Sequence, residues 1–232
     1  MRLASLLLAL AALPAAAQPS AEAVVDAWAA GWRSAAEGVV GVEMAEAMER
    51  RLDGPRRDVD VVTEGRLIYR AGERPRRERL RARVDGEPVA VERAGGHDRR
   101  LGRAFGRGGR DLAAPPPLPS ALFRRADVLD LTPDVLDGRA VWRVGFVLPR
   151  GGRGAAWFTR SADAPRLLRT RTEGGRREGH RITRDVAYAP VAGLDLPVAS
   201  RSDLVVRQRR RLREYRVTMR AEARYADHRL LD

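Results

Sequence analysis

The chain of 232 residues contains no cysteine and no lysine. Without cysteine the fold has neither disulfides nor thiolate metal ligands, so packing must hold it together in an oxidising compartment. The same absence excludes a lipid-modified cysteine behind an N-terminal leader. Aromatic residues make up only 5% of the chain, and no helix-turn-helix, zinc-finger or RNP signature accompanies them, so no nucleic-acid partner is expected.

Long apolar runs are scarce, and the clearest one lies at the N-terminus. Behind Arg2, an apolar stretch runs from Leu3 to Leu13 and is followed by small residues that end at Ala17. This order is typical of a secretory signal peptide cleaved near Ala17. The run is about half of the ~20 residues that a membrane-spanning helix needs. We therefore expect residues 1–17 to be removed and residues 18–232 to form a single soluble domain, periplasmic or secreted, with no transmembrane segment.

Charge of one sign dominates. The chain has 44 basic residues, all arginine, against 31 acidic residues, and its formal net charge is +13. Guanidinium groups match the geometry of phosphate, which would make anionic lipid headgroups natural partners for an exported protein. A codon bias of a GC-rich genome toward arginine explains the same composition. Both interpretations stay open.

Behind the leader, the pattern predicts a helix and then strands. Residues 20–36 have apolar side chains at helical spacing behind Ser20 as a potential N-cap. Residues 39–51 suit both a helix and a strand, and we favour the strand. In residues 76–91, Leu80, Ala82 and Val84 alternate with arginines before an Asp-Gly turn, which predicts a hairpin with an apolar and a polar face. Residues 94–119 are rich in Gly, Arg and Pro and are predicted to form a flexible loop.

The C-terminal half is dominated by period-two patterns. Trp142, Val144 and Phe146 share one face of a predicted strand, and the clearest alternation runs from Tyr215 to Tyr225. Such strands predict a long antiparallel sheet with one apolar face. A helix of about sixteen residues cannot cover that face unless the sheet curls. We therefore predict an α+β, mainly antiparallel fold: a curved open half-barrel whose concave face is covered by the N-terminal helix and by a loop or short helix.

Signatures of catalysis and metal binding are missing. The candidate general bases are His97, His180 and His228, and no two of them lie at ligand spacing. No HExxH, GxSxG, Walker or dinucleotide-binding motif occurs. The aspartates at positions 127, 130, 134 and 137 match no calcium loop. The expectation is a non-enzymatic protein without cofactor, metal site or catalytic residues.

Several short motifs in the C-terminal half give a family resemblance. The first is the hairpin LDGRAVWRVGFVL. The second is a tryptophan followed by a short turn, a proline and a basic strand, carried by Trp157, Pro165, Arg166, Leu167 and Arg169. The third is a stretch with a tyrosine, a glycine and a proline, carried by Tyr188, Gly193, Leu194 and Pro197. With the leader and helix, this order resembles the periplasmic carriers that sort outer-membrane lipoproteins. It also resembles the N-terminal domain of periplasmic regulators of the envelope-stress sigma factor. The resemblance implies an unclosed half-barrel lidded by helices that carries acyl chains without catalysis.

The function predicted from these features is a carrier that binds lipid or lipoprotein acyl chains in an apolar cavity, with arginines meeting anionic headgroups. The side chains expected to line that cavity are Trp142, Phe146, Trp157, Tyr215, Val217, Met219 and Tyr225. An ordinary packed core is the alternative explanation for the same side chains. The alternative function is an envelope-stress sensor or scaffold that binds a protein partner through an exposed edge or a basic face.

Overall fold

The computed structural model describes residues 18–53, 58–96, 112, 114–149, 151–161, 163–174, 180–210 and 213–232, without the side chains of 208–210 and 213–215. In this part of the chain, eleven strands form one open antiparallel sheet. The predicted leader, residues 1–17, lies outside the described residues, as does His97. The helices that are described include none long and apolar enough to cross a bilayer.

The helices and strands of the described residues have the following bounds. The helices are α1 (Ala21–Ala35) and α2 (Pro119–Phe123), and residues 91–96 are also helical. The strands are β1 (Gly41–Asp53), β2 (Val59–Arg70), β3 (Arg76–Val84), β4 (Glu87–Pro88), β5 (Asp127–Leu136), β6 (Arg139–Leu148), β7 (Gly152–Thr159), β8 (Leu167–Gly174), β9 (His180–Val191), β10 (Leu194–Arg210) and β11 (Arg213–Leu231).

The sheet has the order β4-β3-β2-β1-β11-β10-β9-β8-β7-β6-β5. Each strand pairs with its neighbours in sequence, except that β1 pairs with β11 and so joins the two halves of the chain. Strands β4 and β5 form the two edges, and the sheet does not close into a barrel. The predicted fold, a mainly antiparallel open half-barrel, is confirmed.

Helix α1 forms where the sequence predicts it. The Ser20 side chain accepts a hydrogen bond from the backbone N–H of Ala23 at 3.1 Å, which satisfies one of the unpaired donors at the helix start. One stripe of the helix is buried: Ala21, Val24, Val25, Trp28 and Trp32. This stripe packs against apolar side chains of the sheet. We call the sheet face that carries α1 the inner face, and the opposite one the outer face.

Two-residue turns connect several of the hairpins. Asp85 and Asp137 each adopt a positive φ, of 52° and 50°, and each is followed by a glycine that also has a positive φ. Left-handed conformations at both central residues are typical of the tight turns whose twist matches antiparallel strands. The turn predicted at Asp85-Gly86 and the hairpin predicted at Asp137-Gly138 are therefore confirmed. Strand β1 begins at Gly41, so that all but the first two residues of the segment 39–51 lie in a strand, as favoured.

A β-bulge in β3 makes the prediction that Leu80 shares an apolar face with Ala82 and Val84 wrong. The register between β2 and β3 shifts between Glu64 and Gly65, so that Glu64 pairs with Arg81 while Gly65 pairs with Arg79. The extra residue, Leu80, is 63% exposed, although Ala82 on the same strand is buried. Because a bulge inserts one residue into a period of two, it reverses the faces on one side of it. Leu80 therefore does not share the apolar face of Ala82, and Arg79 lies on the inner side.

The predicted flexible loop, residues 94–119, falls mostly outside the described residues. Its described members include Ala94, Leu112 and Pro116, and all three are buried. Leu112 packs against the inner face of β10 and β11. These parts of the segment therefore help to cover the sheet. The flexibility of the remainder stays a prediction.

Gly65 and Gly31 offer a matched test of the sheet geometry. A Cβ at Gly65 would lie 2.0 Å from the backbone oxygen of Glu78, whereas a Cβ at Gly31, within α1, would meet nothing within 4 Å. We expect Gly65→Ala to lower the free energy of unfolding by about 3 kcal/mol or more, because the backbone itself must shift. We expect Gly31→Ala to raise it by ~0.5–1 kcal/mol through helix propensity. Urea unfolding measures both, and equal effects would contradict the bulge geometry.

Candidate functional site

The inner face carries the largest apolar cluster of the described chain. It combines the buried stripe of α1 and Leu122 of α2 with side chains from strands across the sheet. Its fully buried strand members include Met44, Leu67, Val144, Phe146, Phe158, Leu167, Leu194 and Leu196. The apolar face predicted from periodicity therefore exists, and α1 and α2 lie on it.

Aromatic side chains hold the two helices to the strands. Trp28 of α1 lies with its ring centroid 5.3 Å from that of Phe123 in α2. The Phe123 ring is in turn 5.7 Å from Phe146 and 5.8 Å from Phe158. Tilted and edge-on pairs at these distances are favourable beyond their buried area. The cover and the sheet thus share one aromatic cluster, whose side chains fill the space beneath α1.

The side chains predicted to line a cavity do not all meet. Phe146, Val217, Met219 and Tyr225 are buried on the inner face. Trp142 is half-buried there, with the Arg160 guanidinium 4.5 Å above its ring. Of the other two predicted residues, Trp157 and Tyr215, only Trp157 has a side chain among the described residues.

Trp157 lies on the outer face, because its neighbours Ala156 and Phe158 are the inner-facing residues of β7. Its indole Nε1 donates a hydrogen bond of 2.8 Å to Asp134, and that bond lowers the pKa of the Asp134 carboxyl. The side chain of Tyr215 lies outside the described residues. A period-two pattern predicts which residues alternate, but it does not predict which of the two faces is covered.

The inner face holds two main apolar clusters rather than one cavity. Phe146 belongs to the cluster beneath α1, whereas Met219 belongs to a second cluster with Leu204, Val206 and Leu112. The cluster beneath α1 also contains two buried tyrosines whose hydroxyl groups are hydrogen-bonded. Tyr225 shares a hydrogen bond of 2.9 Å with Ser200, and Tyr188 shares one of 3.1 Å with Thr170.

A buried carboxylate, Asp195 of β10, fastens α1 to the sheet. It accepts hydrogen bonds from the Trp28 indole at 2.8 Å and from the backbone N–H of Leu167 at 3.0 Å. The Arg166 guanidinium lies 3.5 Å from its other oxygen. Sequence reasoning missed this residue. Its signal was an acidic residue between leucines in an otherwise apolar stretch, which is unusual unless the carboxylate is paired.

A second group that sequence reasoning missed is charged and lies on the inner face of β1 and β3. Glu46 accepts two hydrogen bonds from the Arg77 guanidinium, one of them 2.8 Å long. Arg50 lies on the same face of β1, four residues beyond Glu46 in the sequence, and is only 3% exposed. The alternation in the sequence predicts that the arginines of β3 lie on a polar face, whereas the bulge opposite Gly65 turns Arg77 and Arg79 inward together with Ala82.

Open grooves lie elsewhere. One of about 840 Å³ follows the outer face of β8 to β11 and is lined by alternating charges that include Arg169, Asp185, Arg201, Asp203 and Arg224. Another, of about 600 Å³, lies beside β3 and residues 87–92. None of the residues predicted to line an apolar cavity lines either groove. Among the described residues, no three His, Cys, Asp or Glu side chains form a metal-binding group.

Comparisons with known proteins assign no function to this chain. No protein family model matches the sequence, and no curated protein matches it either. Among solved structures, the chain is similar to a DUF1329 family protein from Desulfovibrio piger at 10% identity and a TM-score of 0.37, over 88% of this chain and 92% of that one.

The chain is also similar to MucB in a structure of MucB in complex with MucA(peri), at 10% identity and a TM-score of 0.23, over 91% of this chain and 99% of that one. A second such match is the MucA/MucB complex of Pseudomonas aeruginosa, at 10% identity and a TM-score of 0.22, over 86% and 93%. At this distance the function of the present chain has to be argued from its own residues.

Burial makes the Tyr225 phenol a pH-sensitive part of the inner face. Burial is the main cause that raises the pKa of Tyr225 to about 12 from its usual 10. The pKa of this phenol is thus higher in the folded protein than in the unfolded chain. Its contribution to the free energy of unfolding is fully present below pH 10 and is lost as the pH rises toward 12. Between pH 9 and pH 11.5 we expect the native protein to lose about 2 kcal/mol more stability than Tyr225→Phe. Urea unfolding at the two pH values measures this, and parallel losses would refute it.

Proposed function

We propose that this protein is a non-enzymatic carrier of the cell envelope that binds an acyl chain of a lipid or lipoprotein against the inner face of its half-barrel. The observation that carries the proposal is that helices, rather than a second sheet, cover the largest apolar cluster of the open sheet. An acyl chain can take the place of such a cover without breaking strand pairing. The export predicted from residues 1–17 would place this exchange in the periplasm.

The energies of the exchange are balanced. Burial of about a dozen methylenes contributes on the order of 10 kcal/mol at ~0.8 kcal/mol each. Displacement of α1 would expose Val24, Val25, Trp28 and Trp32, and about 2 kcal/mol for each comes to roughly 8 kcal/mol. A carrier needs such near-equality, because it has to release its cargo as well as bind it. The Trp28 hydrogen bond to Asp195 adds a further barrier to opening.

The tryptophans on opposite faces of β6 and β7 provide a direct test. We expect an acyl chain brominated near its end to quench the fluorescence of Trp142, which lies on the inner face, and to leave Trp157 on the outer face unquenched. The experiment uses two variants in which Trp142 or Trp157 is the one tryptophan kept and the other three are changed to Phe. Quenching should become stronger with longer chains, because affinity follows buried methylenes.

Equal quenching of Trp142 and Trp157 would mean that the lipid binds without preference for a face. Absence of quenching at chain lengths that stay monomeric in solution would refute the carrier function. Circular dichroism of both variants provides the folding control.

The second candidate function, a scaffold that binds a protein partner, is favoured by one specific observation. Strand β5 ends the sheet, and it exposes Leu129 and Val135 by 60% and 67%. An edge strand offers unpaired backbone groups to an added strand. Pro133, within the same strand, limits such pairing because it has no N–H to donate.

Two exposed apolar residues on different strands test this candidate. If a partner docks on β5, Val135→Asp should abolish the capture of an envelope protein by the immobilised protein. Leu80→Asp, a change of equal chemistry on β3, should leave capture intact. Capture that survives both changes would show that the β5 edge is not the docking site.

A further inference from the structure

Charged side chains interrupt the apolar inner face where β1, β2 and β3 lie side by side. Glu46 and Arg50 point inward from β1, and Arg77 and Arg79 do so from β3. Between them lies Gly65 of β2, which pairs with both Glu46 and Arg79. The Arg77 guanidinium reaches across β2 to Glu46.

The surroundings of this arginine cluster are apolar on both sides. Met44, Met48 and Leu67, from the same strands, belong to the cluster beneath α1. Val61, Ala82 and Ala94 form a smaller cluster on the other side. A ligand that joins an apolar chain to a charged group would thus find both environments on one continuous surface.

The electrostatics of the cluster favour an anion. Burial, followed by the charges of Arg79 and Arg77, lowers the pKa of Arg50 to about 9, and the Glu46 carboxylate offsets this only in part. Burial, followed by the Arg77 charge, also lowers the pKa of Arg79. Like charges held together away from water repel one another, and an added anion would relieve that repulsion. Arg50, Arg77 and Arg79 all have partners within the folded chain, so a ligand would exchange with these contacts.

We propose, on the basis of the carrier function above, that Arg50, Arg77 and Arg79 bind the phosphate of an acylated ligand. The planar fork of each guanidinium pairs with phosphate oxygens through two parallel hydrogen bonds, which an ammonium group cannot do. The phosphate would lie beside Gly65, while the acyl chain would extend over Met44 and Leu67 toward the space under α1. The preferred cargo is accordingly an anionic lipid rather than a neutral one.

The test compares three probes by titration calorimetry with the full mature chain. The probes are oleoyl lysophosphatidic acid, monoolein and inorganic phosphate, with the lipids kept below their micelle concentrations. We expect the phosphate-bearing lipid to bind at least about tenfold more tightly than monoolein. Arg79→Gln should remove this preference. The matched control, Arg81→Gln, lies on the same strand with an 83% exposed side chain and should keep it.

Failure of the headgroup site and failure of the carrier function give different results in this experiment. Equal affinity for the two lipids, or a preference that persists in Arg79→Gln, would overturn the headgroup site and leave the carrier function standing. Binding of inorganic phosphate but of neither lipid would refute the carrier function and identify a site for free phosphate. Failure of all three probes to bind would overturn both. Because Arg79 is only half-buried, we expect Arg79→Gln to fold. Should it not fold, Arg77→Lys, which keeps the positive charge but not the planar fork of the guanidinium, serves as a second variant.

Discussion

The pairing of β1 with β11 is the interaction on which the rest of the structure depends. It joins the first four strands to the last seven, with twelve pairs of residues from Gly41–Leu231 to Asp53–Thr218. Contacts between the two ends of a chain have a high entropic cost, and here they are stabilised by a long ladder and by apolar side chains on its inner side. Without this pairing the sheet would be two separate ribbons, and α1 would have no continuous surface to cover.

That continuous surface combines the two properties that the proposed carrier needs. One part of the surface is apolar. It is covered by α1 at the first apolar cluster and by Leu112 at the second. Across β1 to β3, the surface is charged, because the register shift in β3 places Arg77 and Arg79 on the same face as the buried Glu46. An amphiphilic ligand requires both environments in a fixed relation, and antiparallel pairing supplies that relation without loops or a second domain.

The sequence was sufficient to predict the elements with local signals. Ser20 and the spacing of Trp28 and Trp32 predict α1, and the Asp-Gly pairs at 85 and 137 predict two hairpins. Each of these signals acts over a few residues, so tertiary context does not alter it. The candidate site was predicted less well. Phe146, Val217, Met219 and Tyr225 do lie on the inner face, but Phe146 and Tyr225 belong to one cluster and Met219 to another, and Trp157 faces the other way.

The amino-acid sequence by itself determined that the fold is an antiparallel sheet with one apolar face and an amphipathic helix, because periodicity and turn chemistry are local properties of the chain. Only the tertiary structure decided which face each residue occupies and what fills the space between helix and sheet. The single extra residue of the bulge, Leu80, is exposed, and Arg79 beside it turns inward. Asp195 becomes the fastening of α1 only because β10 lies beneath Trp28, 167 positions away in the sequence. The face that a residue occupies and its distant partner depend on strand register and on neighbours far away in the sequence, so the sequence of a short segment does not determine them.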